Sequence, residues 1–208
     1  MRRSLLSAGL LALCQVWACG ARAQGYGLGI AELADAPAQG LVRTTGGAVL
    51  GADITFVGVR GTYAPATGLG VFADAGFVDV DGFDLGLGIQ FGALCALPLE
   101  LPVPVAVALR GTVYTAFVEN LGVLGLHAGG VASYGLEQVL AGLSVYGGLG
   151  ISYTRWRLER VRGDIDDADS DLALSLGALY AASERLSFFA ELGHAGDMHV
   201  GLGCRFDL

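Results

Sequence analysis

The stretch Phe83-Asp84-Leu85-Gly86-Leu87-Gly88-Ile89-Gln90-Phe91-Gly92-Ala93 decides the fold class. Its odd-numbered residues are all apolar, and the residues between them are Asp84, Gly86, Gly88, Gln90 and Gly92. Successive side chains of a strand point to opposite faces, so this segment reads as a strand with one greasy face and one small, polar face. A helix would smear its polar groups around the axis, and glycine at alternate positions would weaken it heavily.

The same period runs outward in both directions. Val139, Ala141, Leu143, Val145, Leu149, Ile151 and Tyr153 alternate with Gly142, Ser144, Tyr146, Gly148, Gly150, Ser152 and Thr154. Val200, Leu202, Cys204, Phe206 and Leu208 alternate with His199, Gly201, Gly203, Arg205 and Asp207. Breakers separate the runs at Pro65–Gly68, Asp81-Gly82, Pro98–Pro102, Glu119–Gly122, Gly135–Gln138, Gly163–Ser170, Ser183–Arg185 and Ala195–Asp197. The pattern predicts strands near 25–33, 50–64, 69–79, 83–96, 103–118, 123–134, 139–156, 171–182, 186–193 and 198–207. That is an all-β chain whose ten strands close into an antiparallel up-and-down transmembrane barrel. The count falls to eight if the segment before about residue 48 stays out of the sheet.

Composition narrows the class further. The chain has 208 residues, 53% hydrophobic and 15% charged, with 34 glycines, and all 12 of its basic residues are arginine. Disorder requires low hydrophobicity and high charge, so it is excluded. A net charge of −8 argues against nucleic acid, which selects clustered basic surface. At the N-terminus Arg2 and Arg3 precede an apolar run from Leu5 to Ala18, followed by Ala21-Arg22-Ala23. That reads as a secretory signal peptide over 1–23, too short to span a bilayer, with a barrel domain over 24–208. Cleavage removes Arg2, Arg3 and Arg22 and no acid, so the charge falls from −8 to −11. It also removes Cys14 and Cys19, leaving Cys95 and Cys204.

A barrel in water needs charge on its polar face. Here that face is mainly Gly, Ala, Ser and Thr, which suits a narrow lumen, and the large apolar residues then face lipid. Tyr63, Phe77, Phe83, Phe117, Tyr134, Tyr153, Trp156, Tyr180 and Phe206 fall near strand ends, where they would form interfacial girdles. A soluble lipocalin-like binder is the alternative for an alternating barrel.

The signal peptide, the alternating strands and the closing run resemble the small outer-membrane β-barrel domains of Gram-negative bacteria, the OmpA-like and opacity-like barrels. His199-Val200-Gly201-Leu202-Gly203-Cys204-Arg205-Phe206 is similar to that group's C-terminal assembly signal, although Asp207 and Leu208 follow the aromatic residue. The resemblance implies a bacterial outer-membrane location. It also implies contact with lipid and lipopolysaccharide, and recognition of the last strand by the barrel-assembly machinery. Such barrels serve structural, surface-interacting or narrow-pore roles, and no cofactor or metal is implied.

Candidate chemistry is sparse. Asp79 and Asp81 on one connection, with Asp197 and His199 on another, resemble the catalytic spacing of omptins, ten-stranded outer-membrane proteases. An outer-membrane hydrolase is therefore the alternative function, against a main expectation of no enzyme and no catalytic residue. Asp167-x-Asp169-x-Asp171 starts like a calcium loop, but Leu172 and Ala178 stand where the turning glycine and the bidentate glutamate belong.

Arg155, Arg157, Arg160 and Arg162 precede Asp164, Asp166, Asp169 and Asp171. Folding about Gly163 would pair them as 162–164, 160–166, 157–169 and 155–171 in an extracellular charged hairpin. That register needs a one-residue bulge, because lipid-facing Tyr153 and Leu172 differ in parity. The rival reading leaves the arginines free for lipopolysaccharide phosphates. Counting up from the turns, Arg60, Asp74, Gln90, Arg110, His127, Tyr146 and Glu191 all face inward near one level. They are expected to form a polar network that plugs the lumen, with Arg60 near Asp74 and Arg110 reaching an acid or a tyrosine.

Overall fold

A computed structural model of the chain describes residues 27–29, 32–35, 37–81, 83–158 and 165–208. The expected signal peptide and Arg160, Arg162 and Asp164 lie outside the described residues. Ten strands follow one another: β1 (Val42–Gly51), β2 (Ile54–Ala66), β3 (Leu69–Val80), β4 (Gly86–Leu97), β5 (Val105–Val118), β6 (Leu121–Gly135), β7 (Leu143–Leu158), β8 (Ile165–Ala181), β9 (Leu186–Ala195) and β10 (Asp197–Asp207). Each pairs antiparallel with its chain neighbours, and β1 pairs with β10 from Arg43↔Asp207 to Gly51↔His199. The sheet is a closed up-and-down barrel, so it presents no unpaired edge. At the seam, Arg43 Nε donates to Asp207 Oδ1 at 2.5 Å.

The first strand is not where the alternation puts it. Residues 27–29 and 32–35 carry no strand, and Val42–Gly51 closes the barrel instead. Gly-Tyr-Gly-Leu-Gly-Ile at 25–30 has strand period but runs inside the lumen where described: Leu28 is 0% exposed and Ala34 1%. The expected strand 50–64 is correspondingly the end of β1 plus β2, split at Ala52-Asp53.

Two ends can be told apart. One carries both Leu41 and Leu208, whose backbones bond Ala64 and Val42, together with the β2–β3, β4–β5, β6–β7 and β8–β9 connections. We call it the termini end. The far end carries the other connections, including the single-residue turn at Gly196, whose φ of 86° is open to glycine at no steric cost.

Alternation sorts the side chains as period two requires. Leu87, Phe91, Leu126, Ile151, Leu176 and Leu202 lie outside and exposed, while Gln90, Arg110 and Glu191 lie inside and buried. Tyr63, Tyr134, Tyr180 and Phe206 form an outward aromatic row at the termini end, and Phe77 and Phe117 stand outward near the far end. Trp156 and Phe83 depart from the expected girdle. Trp156 has the opposite parity to outward Tyr153, and both pack on a cluster inside the barrel.

The interior has three layers. Toward the far end Val49, Phe56, Val78, Val118 and Val123 form an apolar cluster with Leu28. Toward the termini end Leu94, Val131, Tyr146, Leu179 and Phe189 form another with Ala34. Arg60, Asp74, Gln90, Arg110 and Glu191 occupy the level between, and buried Thr45, Ser133, Ser187 and Arg205 lie toward the termini end.

Inward glycines make the layers fit. A Cβ on Gly125 would overlap the Tyr114 ring, and one on Gly177 the Tyr146 ring. Phe56 lies on Gly58 and Gly76 in the same way, and Phe189 on Gly47 and Gly203. Rings laid across bare backbone fill space that would otherwise be void, a known device for glycine in sheets. These lumen glycines are therefore occupied sites and not water-filled gaps. Gly125→Ala is expected to lose about 1–3 kcal/mol through overpacking. Gly61→Ala, where a Cβ meets nothing within 4 Å, should stay within about 0.5 kcal/mol of the parent. Denaturant unfolding of detergent-folded protein separates the two, and equal losses would contradict this packing.

Candidate functional site in the lumen

The polar layer is built from facing positions on β2, β3 and β4. Arg60 pairs across β2–β3 with Asp74, and Asp74 across β3–β4 with Gln90, all on the inward parity. Arg60 is 0% exposed and Asp74 1%. The guanidinium donates from Nε to Asp74 Oδ1 at 2.6 Å and from Nη2 to Oδ2 at 2.8 Å, a bidentate pair. Gln90 Nε2 donates to Asp74 Oδ2 at 3.1 Å.

The remaining partners come from the N-terminal segment. Leu28 N donates to Asp74 Oδ2 at 3.0 Å, and Arg60 Nη2 donates to the carbonyls of Leu28 and of Gly29, the latter at 3.0 Å. Arg110 Nη2 also donates to Gly29 O, at 3.1 Å. The Phe72 ring adjoins both arginines, 4.3 Å from the Arg60 guanidinium carbon and 5.2 Å from that of Arg110. Farther along, Thr62 donates to Glu32 at 2.7 Å, and Ala34 N donates to Ser133 Oγ at 3.1 Å. The segment has no room for side chains at Gly27 or Gly29. A Cβ on Gly27 would sit 2.6 Å from Gln90 Oε1, and one on Gly29 would overlap the Glu191 carboxylate.

The expected network is thus brought together only in part. Arg60 and Gln90 both donate to Asp74, while Arg110 and Glu191 adjoin them through Gly29. Arg110 was expected to reach an acid or a tyrosine, and its partner is a main-chain carbonyl. Tyr146 belongs to the apolar cluster toward the termini end and lies across Gly177. His127 lies against Gly150 and lines a cavity of about 80 Å³ with Arg110, Tyr114, Ser152 and Glu191. Tyr114 and Thr154 share a hydrogen bond at 2.5 Å. The residues that sequence reasoning missed are Gly27, Leu28, Gly29, Glu32 and Ala34.

No protein-family model matches the sequence, and no curated protein does either. Solved structures similar to this barrel include the N-terminal β-barrel domain of Pseudomonas aeruginosa OprF. That match has 13% identity and a TM-score of 0.44, covering 83% of this chain and 100% of that one. The outer membrane protein OprG from Pseudomonas aeruginosa matches at 15% identity and a TM-score of 0.40, over 85% of this chain and 99% of that one. The KdgM porin matches at 8% identity and 0.44, over 80% and 99%. The likeness is one of barrel architecture. It carries no ligand and no activity to this chain.

Outside the lumen, the charged hairpin takes another register. Arg157 faces Asp166, Arg155 faces Ala168, Thr154 faces Asp169 and Ser152 faces Asp171. The cause lies in the stem, where outward Ile151 must meet outward Leu172 and Leu149 must meet Leu174. That pairing shifts the hairpin by three residues from the expected one and needs no bulge. Arg155 Nε donates diagonally to Asp166 Oδ1 at 2.8 Å, which holds the exposed Asp166 carboxyl below the usual carboxylate range. Asp167, Asp169 and Asp171 lie along extended strand, not in a turning loop. At the far end, Asp79 has the outward parity of Phe77, whereas Asp197 and His199 have the inward parity of Gly201. The two dyads that resemble omptin spacing do not face one space.

Asp74→Ala would leave a fully buried guanidinium without its carboxylate. A loss of about 3–5 kcal/mol is expected. Asp74→Leu combined with Arg60→Met should regain much of it, and equal losses in the single and double variants would contradict the pairing. For the hairpin, cysteines at 157 and 166 in a Cys95→Ala, Cys204→Ala background should oxidise to a disulfide, since facing Cα atoms lie about 4.5–5.5 Å apart. Cysteines at 157 and 169, displaced by three residues or roughly 10 Å along the strand, should not.

Proposed function

We propose that this chain is an outer-membrane barrel closed by its own N-terminal segment, acting through its outer wall and its extracellular hairpin and not as an open pore or an enzyme. The observation that carries this reading is the seating of Leu28-Gly29 on Arg60, Asp74 and Arg110, with apolar clusters on both sides. A buried charge is stable only when well partnered, and here backbone of the segment adds to the partners of the Arg60–Asp74 pair.

In this reading residues 1–23 are a signal peptide removed on export. The termini end, which carries Leu41 and Leu208, faces the periplasm, and the β7–β8 hairpin, built on the two longest strands, stands outside the cell. The strand from Asp197 to Asp207 offers the assembly machinery its closing signal. Arg155 and Arg157, outward and exposed above Tyr153, meet lipopolysaccharide at the outer leaflet. A narrow-pore reading draws on one observation, the cavity beside the segment. It would join the two ends only if the segment withdrew.

Planar-bilayer recording tests the closure. The full chain is expected to give no steady conductance. Deleting residues 27–36 should open one, and a synthetic peptide of residues 27–38 added to the deleted barrel should close it again. A steady current through the full chain would contradict a sealed lumen, and an unchanged baseline after deletion would show that the barrel closes without the segment.

A further inference from the structure

The connections at the termini end divide into two arcs. On the arc β4–β7 the connections are seven residues each: Pro98-Leu99-Glu100-Leu101-Pro102-Val103-Pro104 and Leu136-Glu137-Gln138-Val139-Leu140-Ala141-Gly142. On the other arc they are short and polar: Thr67-Gly68, and Ala182-Ser183-Glu184-Arg185. Turns at the periplasmic end of such barrels are ordinarily short.

The long connections are apolar and open. Leu99, Leu101, Val103, Val139 and Leu140 are between 42% and 77% exposed. They continue the outward wall directly, because Leu109 and Tyr134 stand exposed on the strands they join. The apolar surface therefore reaches lower on this arc than on the other. Their conformation is set by the chain: Pro98, Pro102 and Pro104 block strand continuation, and Val139 N and Leu140 N both bond Leu136 O in a tight turn. The charged residues in both connections are Glu100 and Glu137, with no basic residue.

We propose that these two connections form an interfacial foot that lies in the periplasmic leaflet, against zwitterionic phosphatidylethanolamine headgroups. This rests on the membrane orientation proposed above. Leucine and valine side chains lying beside an apolar wall enter the boundary between headgroups and acyl chains, as the apolar face of an interfacial helix does. The two carboxylates meet ammonium groups there, whereas an anionic surface would repel them. A foot on one arc alone tilts the barrel toward it, the usual response to uneven hydrophobic height.

Single cysteines at Leu101→Cys, Val139→Cys, Leu109→Cys and Glu184→Cys, in the Cys95→Ala, Cys204→Ala background, carry an environment-sensitive fluorophore. The full chain is folded into vesicles of phosphatidylethanolamine and phosphatidylcholine containing nitroxide-labelled lipid. Probes at 101 and 139 are expected to be quenched to a degree comparable with 109 and several-fold more than 184. An unquenched probe at 109 would overturn the membrane reading itself. Quenching at 109, with 101 and 139 as weak as 184, would overturn the foot and leave these loops to a protein partner. Replacing phosphatidylethanolamine by phosphatidylglycerol should weaken quenching at 101 and 139, and equal quenching would overturn the headgroup assignment.

Discussion

A guanidinium with no solvent exposure constrains everything around it. Arg60 sits inside a ten-stranded wall, and its charge is tolerable only with a carboxylate in bidentate contact and its other donors bonded. Asp74 supplies the first condition from the facing position on β3, and the carbonyls of Leu28 and Gly29 supply the second. Phe72 offers its ring to both Arg60 and Arg110, whose guanidinium groups converge on the Gly29 carbonyl. The N-terminal segment is thus part of the interior it fills. Removing it would take the Leu28 amide from Asp74 and the Leu28 and Gly29 carbonyls from Arg60 and Arg110.

The two apolar layers follow from the same geometry. A barrel of this size has little interior volume, and large rings fit only where the opposing backbone carries no side chain. Tyr114 over Gly125, Tyr146 over Gly177, and Phe56 over Gly58 and Gly76 are solutions to that limit. They explain why so many alternate positions are glycine. The remaining features lie on the surfaces: an apolar wall outside, a charged hairpin at one end and apolar connections at the other.

Most of this architecture was legible because period two assigns faces without knowledge of partners. The strands from β2 to β10 follow the alternation, and the shared inward parity of Arg60 and Asp74 lets them oppose one another once the register shifts by one residue between Tyr63 and Ala66. The first strand escaped because its outward residues Thr44, Gly46 and Ala48 are small, so Val42–Gly51 shows little contrast between faces. Residues 25–30 mimicked a strand instead: glycines that look like a lumen face in fact let the segment pass close to Gln90 and Glu191. The partner of Arg110 could not be read for the same reason, since it belongs to a segment outside the sheet. In the β7–β8 hairpin the charges suggested a register that the apolar stem overrules, because outward Ile151 and Leu172 bury more against lipid than exposed ion pairs return.

The central claim is that backbone of the N-terminal segment completes the buried arginine–carboxylate pair. Amide hydrogen exchange at Leu28 and Ala34 tests it directly in the folded barrel. Both amides donate to buried acceptors, Asp74 Oδ2 and Ser133 Oγ, so both are predicted to exchange as slowly as amides of the neighbouring strands. Exchange at the rate of an unstructured chain, with the strand amides still protected, would contradict the account.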